Sequence, residues 1–539
     1  MRLFPIISGH GRVLWAQAGG ALAMAALLAG CGDNYRPTIT PVNGNGPAAQ
    51  PLSYAVVVSS TGSPSSNGVV TIIDYSGDTI TTEATIGPGP SAFTTDAFGS
   101  TGYTLNSDGT ISNFAITASL QTKQVSFSSL STSSQIVNLM QATQLWATDL
   151  DGNVVDLFTG SPAAFQKAVP VASSGASPTL PVFVAGASSP SGQREYAVSQ
   201  NLSDTPAGAI TCNNPANFAS APAGSATPIE ISTQTADPVI AVGKCPVFGV
   251  QTPDQQRLFV LNRGDDTITV INTNKNTLDQ CPVPLVAGAC PAPYNTNQNG
   301  QPITFHPVLP LSLTAVNALN AVTPGSGNPP NGTAGMDAVA GPVYAEYNAA
   351  TQQLIVADYD GGAISVIDVS LDQYGNDSTS FGTTYTIPVG SGNTPAPNPA
   401  SVTVLYDGSK AYTANQNDDN GTGGGTVTVV NLSAHTVEKT IPVAGHPRTV
   451  VSTQNSEYSK IYVNSPDSPF ITIIESTPTT TDEVDATILV EGLPIDIRTT
   501  TENGSTGGSD DTSRVPGYGQ PCYLPGSGPI ASLASCQTQ

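Results

Sequence analysis

A short apolar strand ending in Asn or Asp, a Gly/Asp turn, and a Thr/Val/Ile strand recur along this chain from about residue 53 to 503. The clearest copies are Leu258-Phe-Val-Leu-Asn262 with Thr267-Ile-Thr-Val-Ile-Asn272, and Leu354-Ile-Val-Ala-Asp358 with Ile364-Ser-Val-Ile-Asp368. Ala411-Tyr-Thr-Ala-Asn415 with Thr426-Val-Thr-Val-Val-Asn431, and Ile461-Tyr-Val-Asn464 with Ile471-Thr-Ile-Ile-Glu475, repeat it. A third strand leaves through Gly-x-Pro, as in Thr440-Ile-Pro-Val-Ala-Gly-His-Pro447, and a fourth follows. Weaker copies begin at Tyr54, Gly102, Leu145 and Glu195, making eight units. Asn106 and Asp149 are 43 residues apart, and Asn415 and Asn464 are 49 apart. A four-strand unit cannot bury both of its faces alone, and packing such units radially covers each face with a neighbour. Period-two alternation with almost no helical periodicity points the same way. The fold expected is all-β, a β-propeller of four-stranded blades, with eight units counted and seven possible.

Composition supports this. Charged residues make up only 10% of the 539, so polarity comes from Ser, Thr, Asn and Gln, which suit strands and turns. With 16 Lys+Arg against 39 Asp+Glu, the net charge is −23. That balance argues against a helical bundle, a coiled coil or a nucleic-acid binder, because phosphate contacts need Lys and Arg.

The repeat resembles the YVTN family of β-propeller repeats, whose unit reads roughly "vYVtN…gtVsVID…v.tIpVG..P". The resemblance covers about 450 residues, closest in units 5–8 and loosest in units 2–4, and unit 2 lacks the Gly-x-Pro exit. It implies a propeller, most often seven-bladed and sometimes eight. YVTN relatives also resemble lactonase-like hydrolases and quinoprotein or haem-bearing dehydrogenases. Unit 5 carries an insertion at about 281–340, where Leu309–Val322 reads as helical.

Ahead of the repeat, Arg2 and Arg12 precede an apolar run, Ala21–Leu28, too short for a permanent span. It ends in Leu28-Ala29-Gly30-Cys31, which resembles a bacterial lipobox. By that resemblance 1–30 is a signal peptide, Cys31 is acylated, and 31–52 is a tether. Three acyl chains exceed the two signals that stable anchoring requires. By the same resemblance, Gly32 after the cysteine, where an Asp would mark inner-membrane retention, favours the outer membrane. Losing the leader removes two arginines and no acid, leaving 14 basic against 39 acidic residues, a formal −25. Residues 504–539 lack a core pattern and read as a loose tail.

Six further cysteines, Cys212, Cys245, Cys281, Cys290, Cys522 and Cys536, fit disulfides in an exported chain. Six cysteines allow 15 connectivities. Pairing neighbours, Cys212–Cys245, Cys281–Cys290 and Cys522–Cys536, is the simplest. No Cys-x-x-Cys spacing or adjacent His favours a metal.

The catalytic inventory is thin. Behind the leader there are only His306, His435 and His446, with no P-loop, zincin helix or Gly-x-Ser-x-Gly elbow, and no residue is assigned as catalytic. Without Cys-x-x-Cys-His a covalently held haem is not expected, and no cofactor or metal is assigned. Asn106, Asp149, Asn262, Asp358, Asn415 and Asn464 occupy equivalent positions and should ring one axial end. They either cap turns or form a ligand face. Asp265-Asp266, Asp358 with Asp360, and Asp418-Asp419-Asn420 offer hard oxygens for calcium, none in an EF-hand pattern. Arg263-Gly264-Asp265 spells an adhesion tripeptide, a match long chains produce by chance. Two functions follow: a lipid-anchored module binding an envelope protein or glycan, or a propeller enzyme with an axial active site.

Overall fold

Runs such as Thr426-Val-Thr-Val-Val-Asn431 and Phe470-Ile-Thr-Ile-Ile-Glu475 carry β-branched residues in succession, and both are strands. The computed structural model describes residues 54–96, 99–116, 122–126, 136–141, 144–150, 152–160, 162–171, 180–186, 193–202, 212, 215–297, 299–311, 340–391, 397–418, 424–453, 459–476 and 482–500. Cys31, Cys522, Cys536, the tether and the tail lie outside them.

The strands form eight antiparallel sheets. Their innermost strands are Leu493–Thr499 in blade 1, Pro90–Thr95 in blade 2, Ile136–Gln141 in blade 3 and Pro181–Gly186 in blade 4. Pro246–Gln251, Pro342–Asn348, Pro399–Val404 and Thr449–Ser452 serve blades 5 to 8. Each neighbours the next, and Leu493–Thr499 meets Pro90–Thr95, so the ring closes with eight blades. The chain's last described strand completes its first blade: Val57 pairs with Ile497 and Ala55 with Thr499.

Each sequence unit begins on the second strand of a blade, and its fourth strand is the innermost strand of the following blade. Second strands such as Lys410–Asn415 are buried along their whole length, which explains their unbroken apolar runs. Outermost strands, such as Thr436–Pro442 and Glu483–Leu489, are mostly exposed. The core therefore lies in the seams between blades, as in the Trp146, Val155, Val184 and Ala197 cluster between blades 3 and 4.

The insertion enters through the outer strand of blade 5. Both Thr277–Leu278 and Val308–Pro310 pair with Thr267–Asn272, so the outermost strand is split in two. Leu309, expected to begin a helix, is instead a strand residue opposite Ile268. The rest of that stretch, 312–322, lies outside the described residues. Two neighbour disulfides are present, Cys212–Cys245 and Cys281–Cys290, with Cα separations of 5.3 and 5.7 Å. The first ties the Pro215–Ser220 turn region to the link between blades 4 and 5.

Candidate functional site

The six residues expected to ring the axis sit one strand outside it, at the upper ends of second strands, and all are buried. Asn262 donates from Nδ2 to Thr267 Oγ1 at 3.0 Å and to Thr269 Oγ1 at 2.9 Å. Asn415 does the same to Thr426 and Thr428, and Asn106 to Thr110 and Ser112. The hydroxyls in turn accept from the preceding blade: Gly87 N donates to Ser112 and Gly390 N to Thr428, both at 2.9 Å. A Cβ on Gly87 would sit 2.3 Å from the Asn106 amide, so only glycine closes this seam. Asn464 donates to the Pro494 carbonyl, Asp149 accepts from Gly152 N, and Asp358 accepts from Ser365. These side chains are clasps within and between blades, not a ligand face. Asn415→Ala would strand two hydroxyls and leave a cavity. It should lower stability by about 2–4 kcal/mol in urea unfolding; a loss near zero would sink the clasp assignment.

The other singled-out residues are also committed. Arg263 is fully buried, bonded through Nε and Nη2 to both oxygens of Asp360 at 2.8 and 2.7 Å, and flanked by the Phe218 and Tyr359 rings. The tripeptide is therefore not displayed for adhesion. Among the calcium candidates, Asp265 accepts from Lys244 N and Thr267, and Asp266 from Gly341 N. Asp418 accepts from Ser391 N and from the hydroxyls of Ser391 and Thr426. Asp419 and Asn420 lie outside the described residues. His306 bonds Asp377 at 2.7 Å, beside Arg257, which also faces Asp279. Burial lifts the Asp279 carboxyl to about 6, against the pull of Arg257. His446 bonds Asp467, and His435 stacks on Tyr385 at 3.7 Å.

A different layer surrounds the axis. Five of the eight innermost strands open on proline, and a bulge follows between Pro90 and Ala92, Pro181 and Phe183, Pro246 and Phe248, Pro342 and Tyr344, and Pro399 and Ser401. A bulge re-aims the side chain that follows it. Corresponding residues from successive blades then meet. Phe183 packs on Phe248 with centroids 4.5 Å apart, and Phe248 on Tyr344 at 4.7 Å. On the opposite arc, Thr449 donates to Asp496 Oδ1, and Arg498 holds Asp496 Oδ2 from Nη2 at 2.7 Å and Nε at 3.1 Å. The layer is thus aromatic on one side and charged on the other.

Innermost strands carry unpaired backbone toward the axis, a set of groups that must find partners. Side chains of the charged arc supply them. Ser401 bridges the Arg448 carbonyl and Val450 N, Thr403 accepts from Ser452 N, and Thr499 donates to the Ser452 carbonyl. Glu346 accepts from Val404 N. Burial raises the Tyr344 hydroxyl pKa, with Glu346, Arg498 and Asp496 acting on it as well. Tyr344 belongs to blade 6 and Asp496 to blade 1, so their mutual influence requires convergence on the axis.

Arg448 stands apart. Its backbone is fixed by Asn464 and Ser401, but among the described residues nothing hydrogen-bonds or ion-pairs its guanidinium. The residue is 7% exposed. Burial depresses its pKa, Asp496 opposes that, and Arg498 adds to it. No local pattern marks Arg448, because its surroundings come from a strand nearly fifty residues later, with Asp496 and Arg498, and from Ser401 nearly fifty residues earlier. The signal present was its place, directly after Gly-His-Pro447.

A concavity of about 210 Å³ opens between blades 4 and 5, away from this layer. Its wall includes Arg194 and Asp254, and Arg194 is already held by Glu230 and the Thr273 carbonyl.

No protein-family model and no curated protein matches the chain. Solved structures do. The dihydro-heme d1 dehydrogenase NirN aligns with a TM-score of 0.52 at 12% identity, over 88% of this chain and 80% of that one. Apo AztD from Citrobacter koseri aligns at 0.49 and 12%, over 83% and 98%. A candidate 6-phosphogluconolactonase from Bacteroides fragilis aligns at 0.44 and 14%, over 85% and 100%. At these identities the likeness concerns the fold alone.

Proposed function

We propose that the chain is a lipid-anchored envelope protein whose propeller binds a protein or glycan partner at its axial mouth. The observation that carries the reading is the axial layer itself. Its acids, Asp496 and Glu346, are held in place by Arg498, Thr449 and a backbone amide, while Arg448 is left open. Groups already locked in this way suit recognition better than proton transfer, which needs an acid or base free to exchange. The two disulfides suit an oxidising compartment. The lipobox at Leu28–Cys31 supplies the anchor.

Two measurements test this. Cys31→Ala should move the protein from the membrane to the soluble fraction and abolish palmitate labelling; retention in the membrane would remove the anchor. Pull-down from solubilised envelope should recover a partner with the wild type and with Tyr385→Ala on the outer rim, but not with Arg448→Glu. Equal recovery by Arg448→Glu would move the binding surface away from the axis. Turnover of a lactone panel lost with Arg448→Glu would favour a hydrolase instead.

A further inference from the structure

We infer that the axial mouth is a receptor for a carboxylate group, with the Arg448 guanidinium as its anchor. This inference rests on the binding reading above and names the chemistry of what is bound.

A buried cation without a partner is costly, commonly by several kcal/mol, and folded proteins rarely keep one unless something else compensates it. Arg448 is such a cation: nine-tenths buried, still touching solvent, and without a hydrogen-bond or ionic partner among the described residues. Its guanidinium adds no bond to the fold, because Arg448 is held through its own backbone nitrogen and carbonyl. The planar fork of an arginine matches the two oxygens of a carboxylate, giving parallel charge-assisted bonds.

Local charge selects among anions. Arg498 is neutralised by Asp496 through two bonds, and Glu346 is tied to Val404. Among these four charged groups, which together sum to zero, only Arg448 has no hydrogen-bond or ionic partner for its side chain among the described residues. One negative charge on a ligand can pair with Arg448, whereas a second finds no unpaired cation there and is opposed by the Glu346 carboxylate, whose bond to Val404 N leaves its charge in place. The chain's net charge of −23 adds a general field against multiply charged anions. A monoanion fits, and a phosphate dianion does not.

The test is calorimetry and thermal melting of the purified protein with acetate, glucuronate, glucose and inorganic phosphate at pH 8. Acetate and glucuronate should bind and raise the melting temperature, with glucose and phosphate silent. Arg448→Met should weaken both carboxylates at least tenfold, and Arg448→Lys should fall between. Without ligand, Arg448→Met should melt at or above the wild-type temperature, so loss of binding is not loss of fold. Three results would overturn the inference: silence of both carboxylates into the millimolar range, phosphate binding tighter than either, or a large drop in melting temperature for Arg448→Met. If carboxylates are silent while wild type still recovers an envelope partner and Arg448→Glu does not, the anion falls and the binding reading stands. Carboxylate binding with no partner recovered would leave the anion site and remove the partner.

Discussion

Ending the chain after Gly492 should abolish cooperative folding. The deletion removes Leu493–Thr499, the innermost strand of blade 1, and with it the register from Leu493 opposite Ser60 to Thr499 opposite Ala55. It also removes Asp496 and Arg498 from the axis and opens the seam between blades 8 and 1. Val56, Val57 and Val58, all fully buried, would then present an uncovered strand edge, a template for pairing between chains. The expected outcome is aggregation, or a loss of the sharp urea transition. A truncation at Thr500 should unfold like the full chain. If the shorter chain keeps a single cooperative transition with an unchanged midpoint, ring closure is not what holds this propeller together.

The second large effect is pH-dependent. Asp358 occupies the clasp position that is Asn in blades 2, 5, 7 and 8, and only one of its oxygens is bonded, to Ser365. Burial pushes its carboxyl up to about 8, against the Ser365 bond and with help from Asp266. In the unfolded chain an aspartate titrates near 4. The folded state therefore holds the proton longer. Stability from this group is complete below about pH 4 and is lost as pH rises toward 8, at about 1.4 kcal/mol per pH unit for one proton. Asp358→Asn has no proton to lose and gains an amide donor for Ser365. Its stability relative to wild type should rise steadily from pH 4, reaching at most about 4 kcal/mol at pH 7. A difference that is flat across this range would show that Asp358 is ionised in the fold. Asp156 presents the same chemistry in blade 3, raised to about 8 by burial and by Asp149. Asp156→Asn should therefore add a second, separable pH-dependent gain.

Much of the architecture is written in local pattern. The runs at 258–262, 354–358, 411–415 and 461–464 are buried on both sides because neighbouring blades cover them, which is what their unbroken apolarity implied. The clasp was also within reach. Hydroxyl residues at alternate positions after Asn262 and Asn106 mark the same face of the next strand, so an amide could be expected to reach them. Equivalent positions in a repeat ring the axis closely only on its innermost strand, and that strand is the one after Gly-x-Pro rather than the one these residues end. The axial layer was harder to foresee. Arg448, Asp496 and Tyr344 belong to three blades, and their proximity exists only once eight blades have closed. No window of sequence contains that closure.

The divided outer strand of blade 5 has a practical consequence. Its two halves, Thr277–Leu278 and Val308–Pro310, keep their pairing with Thr267–Asn272 although residues 279–307 come between them. Blade register is thus indifferent to added chain at this rim position, where the intervening segment closes its own Cys281–Cys290 loop. A fluorophore, an affinity handle or a small folded domain could be grafted there as a reporter. It would project from the circumference and leave the central mouth free for whatever occupies it.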